Sequence, residues 1–261
     1  MPTPLEVLLD PISLSILALY AALIAWEALS PARTLPEVRG WRLRGLLAFA
    51  LFFYASSYLP LLWTDALASY QLFDLSGLGT LAGAAIGLCV YELGVYVWHR
   101  AMHGSRPLWL GFHQMHHSAE RVDTFGAFWF SPLDMLGWTV LFSLCLTWIV
   151  GLSAEATTVV ILATNFLSVF QHANVRTPRW LGYVVQRPES HSRHHQRGVH
   201  AKNYSDLPVF DLLFGTFENP REFASEAGFY PGASERVGEM LAFRDVSEPA
   251  ELGARPREAL R

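Results

Sequence analysis

The sequence predicts an all-α integral membrane bundle of about five spans, with a histidine-rich helical cap on one side. Three observations carry that prediction: a composition too apolar for a water-soluble domain, five apolar runs of helical length, and a one-sided distribution of basic residues. Of the 261 residues, 52% are hydrophobic and only 16% charged, where a soluble domain carries about 25% charge. The mean hydropathy is +0.25. A net charge of -4 leaves no basic surface for a nucleic-acid backbone, which excludes a nucleic-acid partner. Two cysteines are too few for a disulfide framework, a four-cysteine zinc site or an iron-sulfur cluster.

A run of about 20 apolar residues spans a bilayer as a helix. Leu14–Leu29 is the first such run, Gly45–Trp63 the second, and Leu81–Trp98 the third, with Glu92 inside it. Leu133–Val150 is the fourth and Ala156–Phe170 a shorter fifth. The last two are joined only by residues 151–155, so they form a helical hairpin. Ser131-Pro132-Leu133-Asp134 opens the fourth span: serine caps, proline suits the first helical position, and an acid follows in the first turn. The N-terminus lacks the basic n-region of a cleaved signal, and Asp10 and Pro11 precede the apolar run, so an uncleaved first helix is expected.

Basic residues orient the bundle. Residues 1–13, 64–80 and 151–155 contain no lysine or arginine, and all 19 fall in the other set of connecting segments. The expected topology places the N-terminus outside and the C-terminus in the cytoplasm. The chain reads as a single membrane-embedded domain, 1–261, with a polar tail over 235–261. Gly83-x-x-x-Gly87 reads as a close helix contact, the nine tryptophans as interface anchors and packing, and Cys89 and Cys145 as core residues.

All ten histidines lie between positions 99 and 200. His99 and His103 form H-x-x-x-H. His113, His116 and His117 form H-x-x-H-H, and His191, His194 and His195 repeat it. His172 stands alone at the end of the fifth span, and His200 falls in the polar stretch beyond. Residues three or four apart share a helix face, so three such faces can surround one small volume. One metal accepts four to six ligands, so eight or nine imidazoles imply two ions. Imidazole suits iron, copper, zinc and nickel; magnesium and calcium want oxygen ligands. Every cluster falls at the cytoplasmic boundary of a topology derived without the histidines.

Near these clusters, Glu92 and Tyr96 share a helical face with His99 and His103, and Asn165 lies seven residues before His172. An acid within a span is costly and usually functional or paired, so Glu92 is the leading candidate to orient a ligand, with Tyr96 and Asn165 behind it. Asn174, Asp123, Glu120 and Asn203 fit solvated or turn roles at least as well.

The run Trp98-His99-Arg100, His103, Leu108-Trp109, His113, His116-His117-Ser118 resembles the fatty acid hydroxylase/sterol desaturase superfamily. So does His191, His194-His195, followed by Asn203-Tyr204, Phe210-Asp211 and Phe214-Gly215-Thr216. The similarity covers roughly 85–220. It implies a membrane-bound non-haem di-iron oxidoreductase that uses dioxygen and two external electrons to hydroxylate or desaturate a lipid drawn from the bilayer. The resemblance implies His99, His103, His113, His116, His117, His191, His194 and His195 as ligands, with His172 at a further position where the family often has histidine. Iron is the implied metal, although zinc can occupy such sites in purified protein. With no flavin, haem-attachment or iron-sulfur motif in the chain, electrons would come from a separate ferredoxin or a cytochrome b5-like carrier with its reductase. Within the superfamily, His116-His117-Ser118-Ala119-Glu120 resembles the ether-lipid-cleaving alkylglycerol monooxygenase branch about as well as the sterol branch. Outside it, the rival readings are a haem electron carrier and a membrane metal transporter.

Overall fold

The computed structural model describes residues 1–249. Thr3 and Glu6 cap each other's backbone around Pro4 to start α1 (Pro4–Leu9), and Asp10 with Pro11 starts α2 (Pro11–Leu29) at once. α3 (Trp41–Tyr58) runs on through a tighter turn to Leu62, and α4 (Thr64–Ser69) follows. α5 (Thr80–Gly104) is the longest helix. The short pieces α6 (Arg106–Leu108) and α7 (Gln114–His117) are joined by a widened π turn over Trp109–His113. Ser131 accepts from Asp134 N to cap α8 (Pro132–Ser143), as the sequence signature predicts. A π turn extends α8 to Val150. Then come α9 (Ala154–Phe170), α10 (Pro188–His194), α11 (Val209–Phe214) and α12 (Val237–Leu241). Among the described residues the only β-type pairing is one isolated bridge, Gln196 with Ala227.

Among the described residues, four helical stretches are long and apolar enough to cross a bilayer: Pro11–Leu29, Trp41–Leu62, Thr80–Gly104 and Pro132–Val150. The fifth, Ala154–Phe170, has 17 residues and is shorter. The chain is therefore a multi-pass membrane bundle. The turn between α8 and α9 is sharp because Gly151 adopts φ +60, and a Cβ there would lie 2.4 Å from the Phe73 carbonyl oxygen; only glycine meets both conditions. α5 then packs closely on the start of α9: a Cβ on Gly87 would come within 2.4 Å of Leu152, in line with the Gly83-x-x-x-Gly87 reading.

Cys145 is buried, but Cys89 turns outward on the lipid-facing side of α5, which corrects its assignment to the core. A hydrophobic run this long has apolar residues all round, so hydropathy does not tell which of them face lipid.

The core divides along the membrane normal. Tyr20, Phe49, Phe53, Phe128 and Phe170 pack between α2, α3 and α9, and Tyr91, Val95, Leu146 and Val160 between α5 and the hairpin. On the side where α2, α5 and α9 end, Trp41, Met115, Trp129, Met135 and Phe229 form a second layer. Met240 and Val246 belong to this layer and are almost fully buried. The Gln114 amide donates to the Arg244 carbonyl and accepts from Val246 N. The expected tail thus begins as packed structure over 235–249; its remainder, 250–261, lies outside the described residues.

Candidate metal centre

The nine histidines expected as ligands come together in two adjoining groups. Ring nitrogens of His99, His103, His113, His117 and His194 all lie within 4.8 Å of one another, and so do those of His116, His172, His191 and His195. The groups touch: the His117 and His195 rings stack at 4.2 Å. Each H-x-x-H-H run is split between them. At 3.6 residues per turn each residue advances about 100°, so adjacent histidines cannot face one point. His117 and His116 diverge into the two groups, as do His194 and His195. The i,i+4 pairs His113/His117 and His191/His195 stay together.

The far side of many rings is tied. His99 Nδ1 donates to the Tyr204 carbonyl at 2.7 Å, His194 Nδ1 to the Lys202 carbonyl at 2.7 Å, and His172 Nδ1 to the Ser168 carbonyl at 2.6 Å. His113 Nδ1 lies 3.1 Å from the Asp134 carboxylate. These partners fix the proton on Nδ1 and leave Nε2 as a lone pair aimed inward. His99 Nε2 and His113 Nε2 then face each other at 2.9 Å, and His172 Nε2 sits 3.1 Å from His116 Nε2 and 2.9 Å from His191 Nε2. His103, His117 and His194 carry buried Nε2 atoms with no hydrogen-bond partner. Facing lone pairs repel unless a cation lies between them, so this donor set fits two metal ions.

Protonation does not compete. Burial first, and neighbouring imidazoles next, hold His113, His116, His117, His191, His194 and His195 well below the ordinary imidazole range. Burial brings His172 down to about 4. Neutral imidazole is the form that binds metal.

Glu92 does not touch an imidazole. Fully buried, its Oε2 accepts from Asp206 N at 2.9 Å and Leu207 N at 3.1 Å, so it holds the loop that presents the Tyr204 carbonyl to His99. The Tyr96 hydroxyl accepts from Arg100 and donates to Thr216 Oγ1, whose own hydrogen goes to Asp211. The Asn165 amide donates to the Ile161 carbonyl and the residue lines a cavity below the rings. Asn203 ties the cap, donating to the Ser190 and Glu218 carbonyls. His200 stands outside both groups, with its Nδ1 3.1 Å from His117 Nδ1.

Sequence reasoning missed Asp134, whose role as a helix-start residue masked its contact with His113. It also missed Asp211, which accepts from Tyr204 N, Ser205 N and Thr216 Oγ1 and so shapes the loop behind His99. An acid in the opening turn of a span was the available signal for Asp134.

An apolar cavity of about 450 Å³ runs from the rings of His99, His113, His116, His172 and His191 through the bundle to Pro2, Glu6 and Asp10 at its opposite end. Aromatic side chains of α3, the 127–130 loop and α8 wall it.

A family model described as fatty acid hydroxylase matches residues 84–216. The chain is 28% identical over 183 residues to the ornithine lipid hydroxylase OlsE of Rhizobium tropici, covering 67% of this chain and 54% of that protein. It is 28% identical over 166 residues to a Delta(7)-sterol-C5(6)-desaturase of Nicotiana tabacum, covering 61% and 58%. The chain thus spans little more than half the length of these curated relatives. No solved structure matches it.

Proposed function

The chain belongs to the fatty acid hydroxylase family, and from that premise we propose that it is a membrane-bound non-haem di-iron oxidoreductase acting on a lipid C–H bond. The supporting observation is the junction of two imidazole groups with the blind end of an apolar cavity. His99, His103, His113, His117 and His194 would hold one iron, and His116, His172, His191 and His195 the other. The pair would supply the oxidising power to activate dioxygen. In the hydroxylating outcome, R–H, O2, two electrons and two protons give R–OH and water; in the desaturating outcome a second neighbouring hydrogen leaves instead and two waters form.

The chain's own residues do the rest. Tyr204, Lys202, Ser168 and Asp134 orient the rings. Phe130 and Trp138 line the cavity beside them and keep water from the reacting carbon. The substrate enters from the bilayer. A haem carrier is a poor fit, because axial ligation needs imidazoles on opposite faces of a macrocycle, and these nitrogens crowd within 4.8 Å.

By the distribution of basic residues, the histidine side faces the cytoplasm and the N-terminus lies outside. Two electrons would arrive there from a ferredoxin or a cytochrome b5-like protein with its reductase. Protein purified from iron-supplemented cells should hold two irons per chain, and lipid extracts of cells with the gene should contain an oxidised lipid absent without it. Fewer than two metals per fully loaded chain, or identical lipid profiles, would overturn the reading.

A further inference from the structure

The cavity has a direction. Its inner end is formed by nearly buried imidazoles, among them His113, 1% exposed, and His191, 2% exposed. A polar headgroup has no water there. The outer end is formed by Pro2, Glu6 and Asp10, all exposed. Between the ends, three hydroxyls on the wall are already committed. Thr139 donates to the Met135 carbonyl, Thr164 to the Val160 carbonyl, and Ser57 to the Phe53 carbonyl. The middle therefore offers hydrocarbon contact, where a polar substituent would be desolvated without compensation.

Its length follows from the helices that line it: the wall runs from His172 past Asn165 on α9 and out along α2 through Ile16 to Ile12 and Asp10. At 1.5 Å per residue a path of this many turns is on the order of 20 Å. An extended chain advances about 1.2 Å per bond, so a chain of on the order of 15 bonds fills it.

We infer that the site takes a single unbranched hydrocarbon chain tail-first, with its polar end at α1 and a methylene on the order of 15 bonds away beside the imidazoles. The oxidised carbon is thereby remote from the headgroup. This inference rests on the oxygenase reading for its chemistry, but the lie of the chain is independent of turnover.

The test is photocrosslinking of the metal-loaded full chain in lipid nanodiscs. Hexadecan-1-ol is the probe, with a diazirine placed either near its methyl end or beside its hydroxyl; a neutral head suits a rim carrying two carboxylates. The methyl-end probe should label Val95, Phe130 or Trp138, and the hydroxyl-end probe Val7 or Ile12. Thr164→Phe, which fills the middle of the path, should lose methyl-end labelling near the histidines while retaining two metals per chain. The reversed labelling pattern, or equal labelling of both regions by both probes, would overturn the inference. Labelling as expected in a protein that binds no iron would instead tell against the oxygenase reading alone.

Discussion

The two imidazole groups are built to different standards. In the five-membered group, four rings are held from behind: His99 and His194 by backbone carbonyls, His113 by a carboxylate, and His117 by His200. In the four-membered group only His172 is held, by the Ser168 carbonyl. The Nδ1 atoms of His116, His191 and His195 have no hydrogen-bond partner. Three of these four rings also border the cavity. A metal site that is saturated and braced suits a fixed ion, while one with fewer ligands keeps a position open for chemistry. On the proposed two-iron reading, the difference would give holding to the first group and exchange to the second.

The sharpest way to break that contrast is to remove one ligand from each group. His191→Ala leaves three imidazoles and should reduce the metal content from two ions to one, with lipid oxidation lost by more than the roughly 10- to 100-fold expected of an outer partner. His103→Ala leaves four and should retain more of its ion; elemental analysis of both variants after equal dialysis checks the order. Next comes Asp134→Asn, which replaces the carboxyl group behind His113 with an amide. Metal affinity of the braced group should fall by roughly 10- to 100-fold while the other ion stays, read by chelator competition.

A smaller effect is expected at His200. For His117 Nε2 to face an ion, its Nδ1 must carry the proton and donate to His200 Nδ1. His200→Ala should weaken binding by about tenfold, the low end for a lost outer partner, and His200→Gln, which restores an acceptor, should recover part of it. The backbone supports this role: His200, Lys202 and Asn203 all adopt positive φ, a strained run that persists where surrounding contacts enforce it. Glu92→Ala removes the acceptor of two backbone N–H groups, each bond worth about 0.5–1.5 kcal/mol. It should lower the melting temperature and loosen His99 before any ring of the second group. The smallest effect is Ser131→Ala, about 1 kcal/mol from a lost helix cap, measured by thermal unfolding of the nanodisc-embedded protein.

Much of this was legible in the sequence, for identifiable reasons. Long apolar runs and a charge bias report helices and their order, and histidine spacing reports shared faces. That adjacent histidines diverge follows from helical spacing, but which ring joins which group was not legible, because it depends on the π turn at 109–113 and on where α10 docks. The contact between His113 and Asp134 crosses 21 positions; the acid in a span's opening turn marks Asp134 but not the ring it meets. The carbonyls of Lys202, Ser168 and Tyr204 are backbone atoms, so no residue type announces them. Glu92 was recognisable as a costly buried acid, but its partners are amides of a loop more than a hundred residues away.

Mössbauer spectroscopy of protein grown on the Mössbauer-active iron isotope tests the central claim most directly. Two irons per chain in unequal nitrogen-rich environments, of which only one changes when a lipid chain fills the cavity, is the predicted result. A single iron, or two identical sites that both ignore the lipid, would contradict it.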